Sequence, residues 1–542
     1  MTTRRLRGGR VFDPANGVDG EVRDVAMRDG RIVALDPREP VDEEIDASGC
    51  IVLAGGIDLH SHIGGGKVNL ARLLLPQQEC RVCAPGTLAT GLRYAEMGYT
   101  SVFEPAMAAS NARHAHMEMG DVPIVDHGAY VMLGNDELFL ELLARGCEPQ
   151  RLRDYVGWVV HATKALGVKV VNPAGISAFK FNQRRLDVDE PHVHWQVTPR
   201  QVVTALARAV HELGLAHPLH IHASNLGAAG NIASTLATME ALEGLPGHLT
   251  HVQFHCYGAE GPRKFSSAAL ALAEALDAHP NCSIDIGQVL FGQTVTASGD
   301  TMRQHANAEL AHPRKGILGD IECDSGCGVL PFRYREQSYV NALQWSIGLE
   351  LFLQVRDPWR VVLTTDHPNG APFTSYPHLM RLLMDKPFRD EQLARLHPEV
   401  AAESALKHIA RELTLSEIAI MTRAAPARLL GLRDRGHLGP GAAADVAVYR
   451  EQGDAEAMFS RAAWVFKDGE AVVREGRVVA TPVGATHFAE PVFDAGVQRL
   501  LDDSTDRPLG VHKRYAVIGH DELCACCNGG RLLPSACAPR SV

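Results

Sequence analysis

Short apolar segments alternate with amphipathic segments through the middle of the chain, from about residue 52 to residue 430. The apolar segments have the length of β-strands, and the amphipathic ones, such as TPRQVVTALARAVHELG, have the spacing of helices with one buried face. The expected strands are GIDLHSH, GYTSVFEPA, PIVDHGAYV, GISAFKFN, PLHIHASN, LTHVQFHC, CSIDIG and WRVVLTTDH. Repeated β-then-α units form parallel sheets covered by helices, so we predict an α/β fold with a (β/α)8 TIM-like barrel in residues 53–430.

Both ends of the chain show a different pattern, in which short apolar alternation is broken by glycine and aspartate. Residues 1–52 contain RRLRGGRVFDP and VRDVAMRDGRIVALDP, and residues 431–542 contain GHLGPGAAADVAVYR and AAWVFKDGEAVVREGRVVA. Such patterns are typical of short strands joined by tight turns. We therefore expect a small β-sandwich domain built from both termini, followed by a C-terminal tail.

Charge and hydropathy exclude two classes of partner. The chain has 53 basic and 64 acidic residues and a net charge of -11, without a block of like charge. Neither nucleic acid nor a membrane surface is expected as the main partner of such a chain. No stretch reaches the roughly 18 apolar residues that span a bilayer, and the N-terminus lacks an apolar signal core. These features favour a cytoplasmic protein.

Twelve cysteines are scattered along the chain. Without a secretory signal, reduced thiols are expected rather than a disulfide framework. Cys80 and Cys83 have the CxxC spacing of zinc and redox sites, and Cys524, Cys526 and Cys527 cluster near the C-terminus. A thiolate zinc site would require distant groups to meet, so the alternatives are partly buried free thiols or a contact with a partner protein.

Six residues that can bind a metal ion follow strand-like segments, at the end of the barrel where catalytic residues lie. They are His60, His62, Lys180, His222, His251 and Asp366. His60 and His62 share one face of a strand because side chains alternate with period two. Asp366 ends an apolar strand, where a carboxylate needs a cation or a donor. The set predicts a site of nitrogen and oxygen ligands for zinc or a similar divalent ion.

Some of these assignments leave alternatives open. His222 and His251 have histidine neighbours, so the register of the ligand is uncertain by about two residues. The neighbours are His217, His220, His248 and His255. Lys180 lies among apolar residues, where a lysine is costly unless it is paired or chemically altered. It either extends to solvent or carries a carboxylate derived from carbon dioxide, in which form it would bridge two cations.

The motifs around these residues resemble the metal-dependent amidohydrolase superfamily. IDASGCIVLAGGIDLHSH is similar to the turn that leads into its Asp-x-His-x-His strand, GISAFKFN to the strand-four carboxylated lysine of hydantoinases, and TTDHP to the strand-eight aspartate. HASN and HVQF resemble the histidine strands five and six. Within the superfamily, GGGKVNLARLLLP, THVQFHCYG, GQTVTASGD and NALQWSIGLELFL are similar to the A-subunit family of formylmethanofuran dehydrogenase, which has a bacterial formyltransferase/hydrolase form.

This resemblance covers nearly the whole chain and implies a reaction. It implies two zinc ions, or similar divalent metals, held by the six residues above, with N6-carboxylated Lys180 as the bridge. The substrate would be a formylated furan-type carrier, formylmethanofuran or formylmethylofuran, cleaved to formate and the carrier amine in one-carbon metabolism. Asp366 would act first as general base and then as general acid. Other subunits of a formyltransferase/hydrolase complex are the implied partners.

Lys67, Asn69 and Arg72 directly follow the histidine pair. They are candidates for contact with the carrier or with other subunits, and a solvated loop is the alternative interpretation. Two other functions are also compatible with the motifs: a dihydropyrimidinase or hydantoinase acting on a cyclic amide, and a non-catalytic scaffold. The presence of all six candidate ligands favours an enzyme, and formate release against ring opening would separate the two reactions.

Overall fold

The chain begins with a sheet in the computed structural model, which describes residues 2–36, 38–181, 183, 186–261, 263–297, 329–505 and 516–540. Its first strands are β1 (Thr3–Asp13), β2 (Val18–Arg28), β3 (Arg31–Val33), β4 (Glu43–Asp46) and β5 (Cys50–Ala54). Strand β1 pairs antiparallel with β2 and parallel with β4 and β5. The last of these, β5, is wholly buried and leads the chain into the barrel.

Eight of the next twelve strands that the structure describes form the barrel, and these eight are parallel. The strands that follow are β6 (Gly56–Asp58), β7 (Tyr99–Met107), β8 (Asp126–Met132), β9 (Gly167–Val171), β10 (Leu219–His222), β11 (Gly247–Leu249), β12 (Tyr257–Gly258), β13 (Ser266–Ser267), β14 (Cys282–Asp285), β15 (Gly292–Ala297), β16 (Val329–Tyr334) and β17 (Val361–Val362). The barrel order is β6, β7, β8, β9, β10, β11, β14 and β17. A parallel bridge between Ser61 and His367 joins the first strand to the last. The predicted α/β fold with a TIM-like barrel is confirmed.

Helices separate the barrel strands along the chain. They are α1 (Gly66–Leu74), α2 (Gln77–Cys83), α3 (Thr87–Glu96), α4 (Ala112–Gly120), α5 (Glu137–Ala144), α6 (Pro149–Thr163), α7 (Gly175–Lys180), α8 (Pro199–Glu212), α9 (Ile232–Glu240), α10 (Ala269–Ala278), α11 (Tyr339–Gln354), α12 (Tyr376–Met384), α13 (Lys386–Leu393), α14 (Pro398–Glu403), α15 (Leu415–Ala419) and α16 (Ala425–Leu430). Helix α8 begins with a capping box between Thr198 and Gln201, as its sequence dictates. Over the described ranges, none of the helices has both the length and the apolar composition that crossing a membrane requires.

Two barrel strands lie elsewhere than the sequence predicted. The segment GISAFKFN was expected as strand four, but Gly175–Lys180 is helix α7, and strand four is β9, GVKVV. The segment LTHVQFHC was expected as strand six, but that strand ends at Leu249, and Val252–His255 is one turn of 3-10 helix. Both errors arise because a short apolar run has the same pattern in a strand and in a buried helical turn.

The C-terminal part returns first to the sheet and then to the barrel. Its elements are α17 (Ala455–Ser460), α18 (Val497–Thr505), α19 (His520–Cys526), β18 (Val446–Arg450), β19 (Trp464–Lys467), β20 (Glu470–Arg474), β21 (Arg477–Val478), β22 (Thr486–Glu490) and β23 (Leu532–Ala536). Strand β18 pairs antiparallel with β5, so both ends of the chain build one sheet. Strand β22 instead meets β8 through Thr486 and His127, and β23 pairs parallel with β22.

A buried cluster of charges joins the sheet to the barrel. The Nζ of Lys467, at the end of β19, lies 3.0 Å from carboxylate oxygens of both Asp126 and Asp445. The Nε of Arg435 lies 2.7 Å from the same oxygen of Asp126. All four residues are buried, and charges removed from water need such partners. The start of β8 is therefore attached to the sheet by ion pairs rather than by apolar packing alone.

Candidate metal centre

Three of the predicted ligands meet where the first and the last barrel strands end. The Nε2 atoms of His60 and His62 lie 2.9 Å and 3.4 Å from Oδ1 of Asp366. Among the described residues, none of these three atoms has a partner with hydrogen-bond geometry, although all three residues are buried. Buried polar atoms are seldom left unsatisfied, and two imidazole nitrogens and a carboxylate oxygen are ligands that suit zinc. This group, His60, His62 and Asp366, is the first cluster.

Histidines from the next strands form a second cluster of His222, His251 and His255. One ligand atom from each lies within 4.8 Å of the others. The ring centroids of His222 and His251 are 4.6 Å apart, and those of His222 and His255 are 5.0 Å apart. Of these, His222 and His251 were predicted, whereas His255 was named only as a register alternative. Three convergent imidazoles can hold a divalent ion.

The two clusters adjoin each other. The rings of His60 and His251 are 5.7 Å apart at an angle of 76°. Burial opposes ionisation of Asp366, but His60, His62 and then His251 hold the pKa of this carboxyl well below its usual range. Burial, His222 and other neighbours hold the pKa of His251 well below that of a free histidine. An ionised Asp366 and a neutral His251 supply lone pairs of the kind that metal binding requires.

The backbone at the two clusters adopts rare conformations. His251 and Asp366 have φ angles of 37° and 51°, in the left-handed region that non-glycine residues seldom enter. Gly287, with a φ of 64°, packs against both of them. A Cβ atom on Gly287 would lie 2.4 Å from Cβ and 2.7 Å from Cα of His251. Strain of this kind collects at functional sites, and here it orients two ligands.

Two carboxylates missed by the sequence prediction orient the first cluster. Oε1 of Glu104 lies 2.7 Å from Nδ1 of His62. Oδ2 of Asp285 lies 3.2 Å from Nδ1 of His60, and its Oδ1 accepts a hydrogen bond of 2.7 Å from the backbone N–H of His251. A carboxylate on Nδ1 selects the tautomer whose Nε2 can bind an ion. Glu104 and Asp285 thus aim both histidines at Asp366.

A third group of ligand-type atoms, His60, His220 and Asp285, has its own hydrogen bonds. Nε2 of His220 lies 3.0 Å from Nδ1 of His60, and its Nδ1 lies 3.0 Å from Nε2 of His217. His248 contacts Asp285 at 3.2 Å. The alternative histidines His217, His220 and His248 therefore form a hydrogen-bonded layer beneath the two clusters. Because its atoms satisfy one another, this layer needs no ion.

The structure places the two relevant lysines differently. Lys180 is the last residue of α7, and its side chain lies outside the described residues. Lys169 lies in the middle of β9, is 3% exposed, and pairs in register with His220, one layer below His222. Burial lowers the pKa of Lys169 to about 8, although Asp366 favours its charged form. A buried lysine that was not predicted thus acts electrostatically on the first cluster.

The loop and helix after the histidine pair hold Lys67, Asn69 and Arg72. Arg72 donates to Asn69 Oδ1 at 3.1 Å and to Glu118 at 3.2 Å, and its Nε donates to the carbonyl of Pro85. Lys67 is half-buried, and its charge contributes to the lowered pKa of Lys169. Arg72 therefore connects α1 to α4 and to the segment before α3, whereas the charge of Lys67 acts on a residue inside the barrel.

The cysteine pairs take no part in these clusters. Cys80 and Cys83 donate to the carbonyls of Ala84 and Gln293. Cys526 and Cys527 lie at the end of α19, where Cys527 is buried and Cys526 is half-buried. In the part of the chain that the structure describes, the cysteines are free thiols, and no group with metal-binding geometry includes one.

Comparison with known proteins places these clusters in a wider context. Residues 43–480 match the model of the Amidohydrolase family. The chain is 46% identical to the A subunit of the formyltransferase/hydrolase complex Fhc of Methylorubrum extorquens, over 92% of this chain and 93% of that protein. It is 38% identical to protein FwdA of Methanocaldococcus jannaschii, over 90% of each.

A solved structure extends this similarity to the fold. A chain in the crystal structure of the FhcABCD complex from Methylorubrum extorquens, in complex with methylofuran, is similar to this one. The match covers 99% of this chain and 100% of the crystallised chain. The TM-score is 0.92 at 44% sequence identity. A D-aminoacylase structure matches with a TM-score of 0.53 at 15% identity, which is a likeness of fold alone.

Proposed function

The chain belongs to the amidohydrolase family, in the branch that contains the A subunit of the formyltransferase/hydrolase complex, and we propose that it hydrolyses the N-formyl group of a furan-type one-carbon carrier. The products are formate and the free carrier amine. The observation that carries this proposal is the pair of adjoining clusters at the C-terminal end of the barrel. Within the described part of the chain, Nε2 of His60 and His62, Oδ1 of Asp366 and ring nitrogens of His251 and His255 are buried without a hydrogen-bond partner, and such donors fit two divalent ions.

The proposed ligand sets follow the clusters. His60, His62 and Asp366 hold one ion, and His222 and His251 contribute to the second. Zinc suits these donors, which are imidazole nitrogens and a carboxylate oxygen. When bound, the ions supply polarisation of the formyl carbonyl and lower the pKa of a water molecule, which makes a nucleophile available near neutral pH.

We propose that N6-carboxylated Lys180 bridges the two ions, because GISAFKFN is similar to the lysine motif of hydantoinases. Lys169 is the competing candidate. Its lowered pKa favours the neutral amine that reacts with carbon dioxide, and it interacts electrostatically with Asp366. However, its register with His220 places it one layer below the level of His222. A modified lysine would supply the negative charge that two cations require.

Asp366 is the proposed proton carrier. Its low pKa keeps it ionised at neutral pH, so it is able to accept a proton from the attacking water. The hydroxyl adds to the formyl carbon, the carbon–nitrogen bond breaks, and Asp366 delivers the proton to the leaving amine nitrogen. Glu104 and Asp285 hold His62 and His60 in place throughout, so the site does not have to reorganise.

A formyl group is small, so the carrier must supply the selectivity. We propose that Lys67 contacts the carrier, because its charge is near enough to the barrel interior to lower the pKa of Lys169. Asn69 and Arg72 support the loop that presents Lys67, through their mutual hydrogen bond and the Arg72–Glu118 ion pair. The similar Methylorubrum protein was crystallised in the FhcABCD complex with methylofuran, and we propose the same kind of carrier and the same kind of partner subunits for this chain.

Variants of the complex that contains this chain test the proposal. His62→Ala should lose both metal and formate release, because it removes one of three ligands in the first cluster. His116→Phe is the matched control, since His116 is a buried histidine on α4 that bonds only to the carbonyl of Thr163 among the described residues. That variant should keep metal and activity. Formate release by a metal-free His62→Ala variant would contradict the proposal, and ring opening of a cyclic amide without formate would support a hydantoinase instead.

A further inference from the structure

His255 is a member of the second cluster that neither the family motifs nor the comparisons identify as functional. It ends the 3-10 turn Val252–His255, and His251 precedes that turn in a left-handed conformation. The ring of His255 lies 5.3 Å from that of His251, nearly parallel at 24°, and 5.0 Å from that of His222. His255 is 1% exposed, so water does not solvate its ring.

The hydrogen bonding of His255 is incomplete. Within the described chain, neither of its ring nitrogens has a partner with hydrogen-bond geometry. The backbone of Ser224 lies near the ring but outside hydrogen-bond geometry. Leaving a buried polar group unpaired is unfavourable. The buried histidines of the layer beneath, His217, His220 and His248, are instead hydrogen-bonded through both ring nitrogens.

We propose that His255 is a third histidine ligand of the second ion, together with His222 and His251. The inference rests on the proposed function, because it assumes that a divalent ion occupies this cluster. It goes beyond that function by adding a ligand from a helical turn to those supplied by the strand ends. Three histidines are a complete protein ligand set for a divalent ion with one open position.

This ligand set has a consequence for the bridging lysine. With His255, each ion has three protein ligands besides the bridge: two histidines and Asp366 in the first cluster, and three histidines in the second. Loss of the bridge should therefore weaken the binding of both ions rather than of the second ion alone.

Substitution of His255 in the intact complex tests the inference through metal binding. His255→Phe keeps the volume of the ring and removes both nitrogens, and it should lower the bound zinc from about two ions to about one per chain. The affinity for the second ion should fall at least about 100-fold, since even residues behind the ligands contribute 10- to 100-fold. His255→Gln retains an amide that can reach the ion and should recover part of this loss. His116→Phe, at a buried histidine outside the clusters, should leave zinc content unchanged.

A crystal structure of the zinc-loaded wild-type protein provides a test that does not depend on variants. We expect an anomalous peak about 2.0–2.1 Å from one ring nitrogen of His255. A second ion more than about 3 Å from both nitrogens, or unchanged zinc content in folded His255→Phe, would overturn the inference. Absence of zinc from the wild-type protein would instead contradict the proposed function, so the two failures are distinguishable.

Discussion

Oε1 of Glu104 lies 2.7 Å from Nδ1 of His62, and Oε2 of the same carboxylate accepts a hydrogen bond from the backbone N–H of Ile63 at 2.8 Å. One side chain from the second barrel strand therefore fixes both the ring and the backbone of a ligand from the first. The position of His62 depends on a residue that itself binds no ion.

Replacement of Glu104 by Gln should weaken metal binding at the first cluster by about 10- to 100-fold. The neutral amide cannot enforce the tautomer of His62 whose Nε2 faces Asp366. Zinc affinity is measured by competition with a chelator. Glu350→Gln is the control, because Glu350 is a buried carboxylate that accepts hydrogen bonds from Ser267 and Ser404, away from the clusters. Equal zinc affinity in wild-type protein and Glu104→Gln would contradict this role.

Gly287→Ala should reduce activity by about 100-fold, because the new Cβ displaces His251 and a shift of about 1 Å in a catalytic site has that effect. The left-handed φ of Gly287 adds about 1–3 kcal/mol of strain. Gly431→Ala is the matched control for Gly287→Ala. Gly431 has a φ of 71°, and a Cβ atom on it would lie 2.3 Å from Cβ of Ala216. This control should lose stability but keep its kcat. Comparable loss of kcat in both variants would show that the effect of Gly287 is general destabilisation.

Substitution of each lysine identifies the bridge. Lys180→Ala should lower the zinc content below about two ions per chain and abolish formate release, as expected for loss of a bridging ligand. Lys169→Met should keep both ions, because the register of β9 places Lys169 below the level of His222. Metal analysis and mass spectrometry for a carboxylated lysine provide the measurements. Full zinc content in Lys180→Ala, with loss of zinc in Lys169→Met, would assign the bridge to Lys169.

Asp126→Asn should destabilise the protein by about 3 kcal/mol at neutral pH, because it leaves Arg435 and Lys467 with one fewer buried partner. Burial opposes ionisation of Asp126, but Lys467 and Arg435 hold its pKa well below the usual range. A lowered carboxyl pKa stabilises the folded state above the unfolded pKa of about 3.9, and that stability is lost as the pH falls through the folded pKa.

The difference between wild type and Asp126→Asn in the free energy of unfolding should therefore be constant above about pH 5 and shrink below about pH 4. Denaturant unfolding at a series of pH values measures this difference. A difference that grows on acidification would show that Asp126 is not ionised in the folded protein.

The barrel could be predicted from sequence because its strands are short apolar runs separated by helical segments. Strand four was missed since GVKVV follows a helix without a clear break, whereas the neighbouring GISAFK has the same apolar character but folds as α7. The pairing of β22 with β8 and of β23 with β22 was also missed. Such long-range pairing leaves no local pattern in the sequence, because it depends on which sheet edge is open in the folded chain.

The site could be predicted only in part. Five of the six candidate ligands, His60, His62, His222, His251 and Asp366, lie in the two clusters, and the side chain of the sixth, Lys180, lies outside the described residues. Asp285 ends its strand and Glu104 follows the apolar run YTSVF within β7, so the criterion that found Asp366 also applies to them. His255 gave no such signal, because its position depends on a 3-10 turn that the sequence pattern suggested was a strand.

The most direct test of the account is formate release from the formylated furan carrier by the purified complex that contains this chain, with metal content determined on the same sample. We predict stoichiometric formate and free carrier amine with about two divalent ions per chain, and loss of both metal and formate after treatment with a chelator. Formate production at full rate by metal-free protein, or two bound ions without any formate, would contradict it.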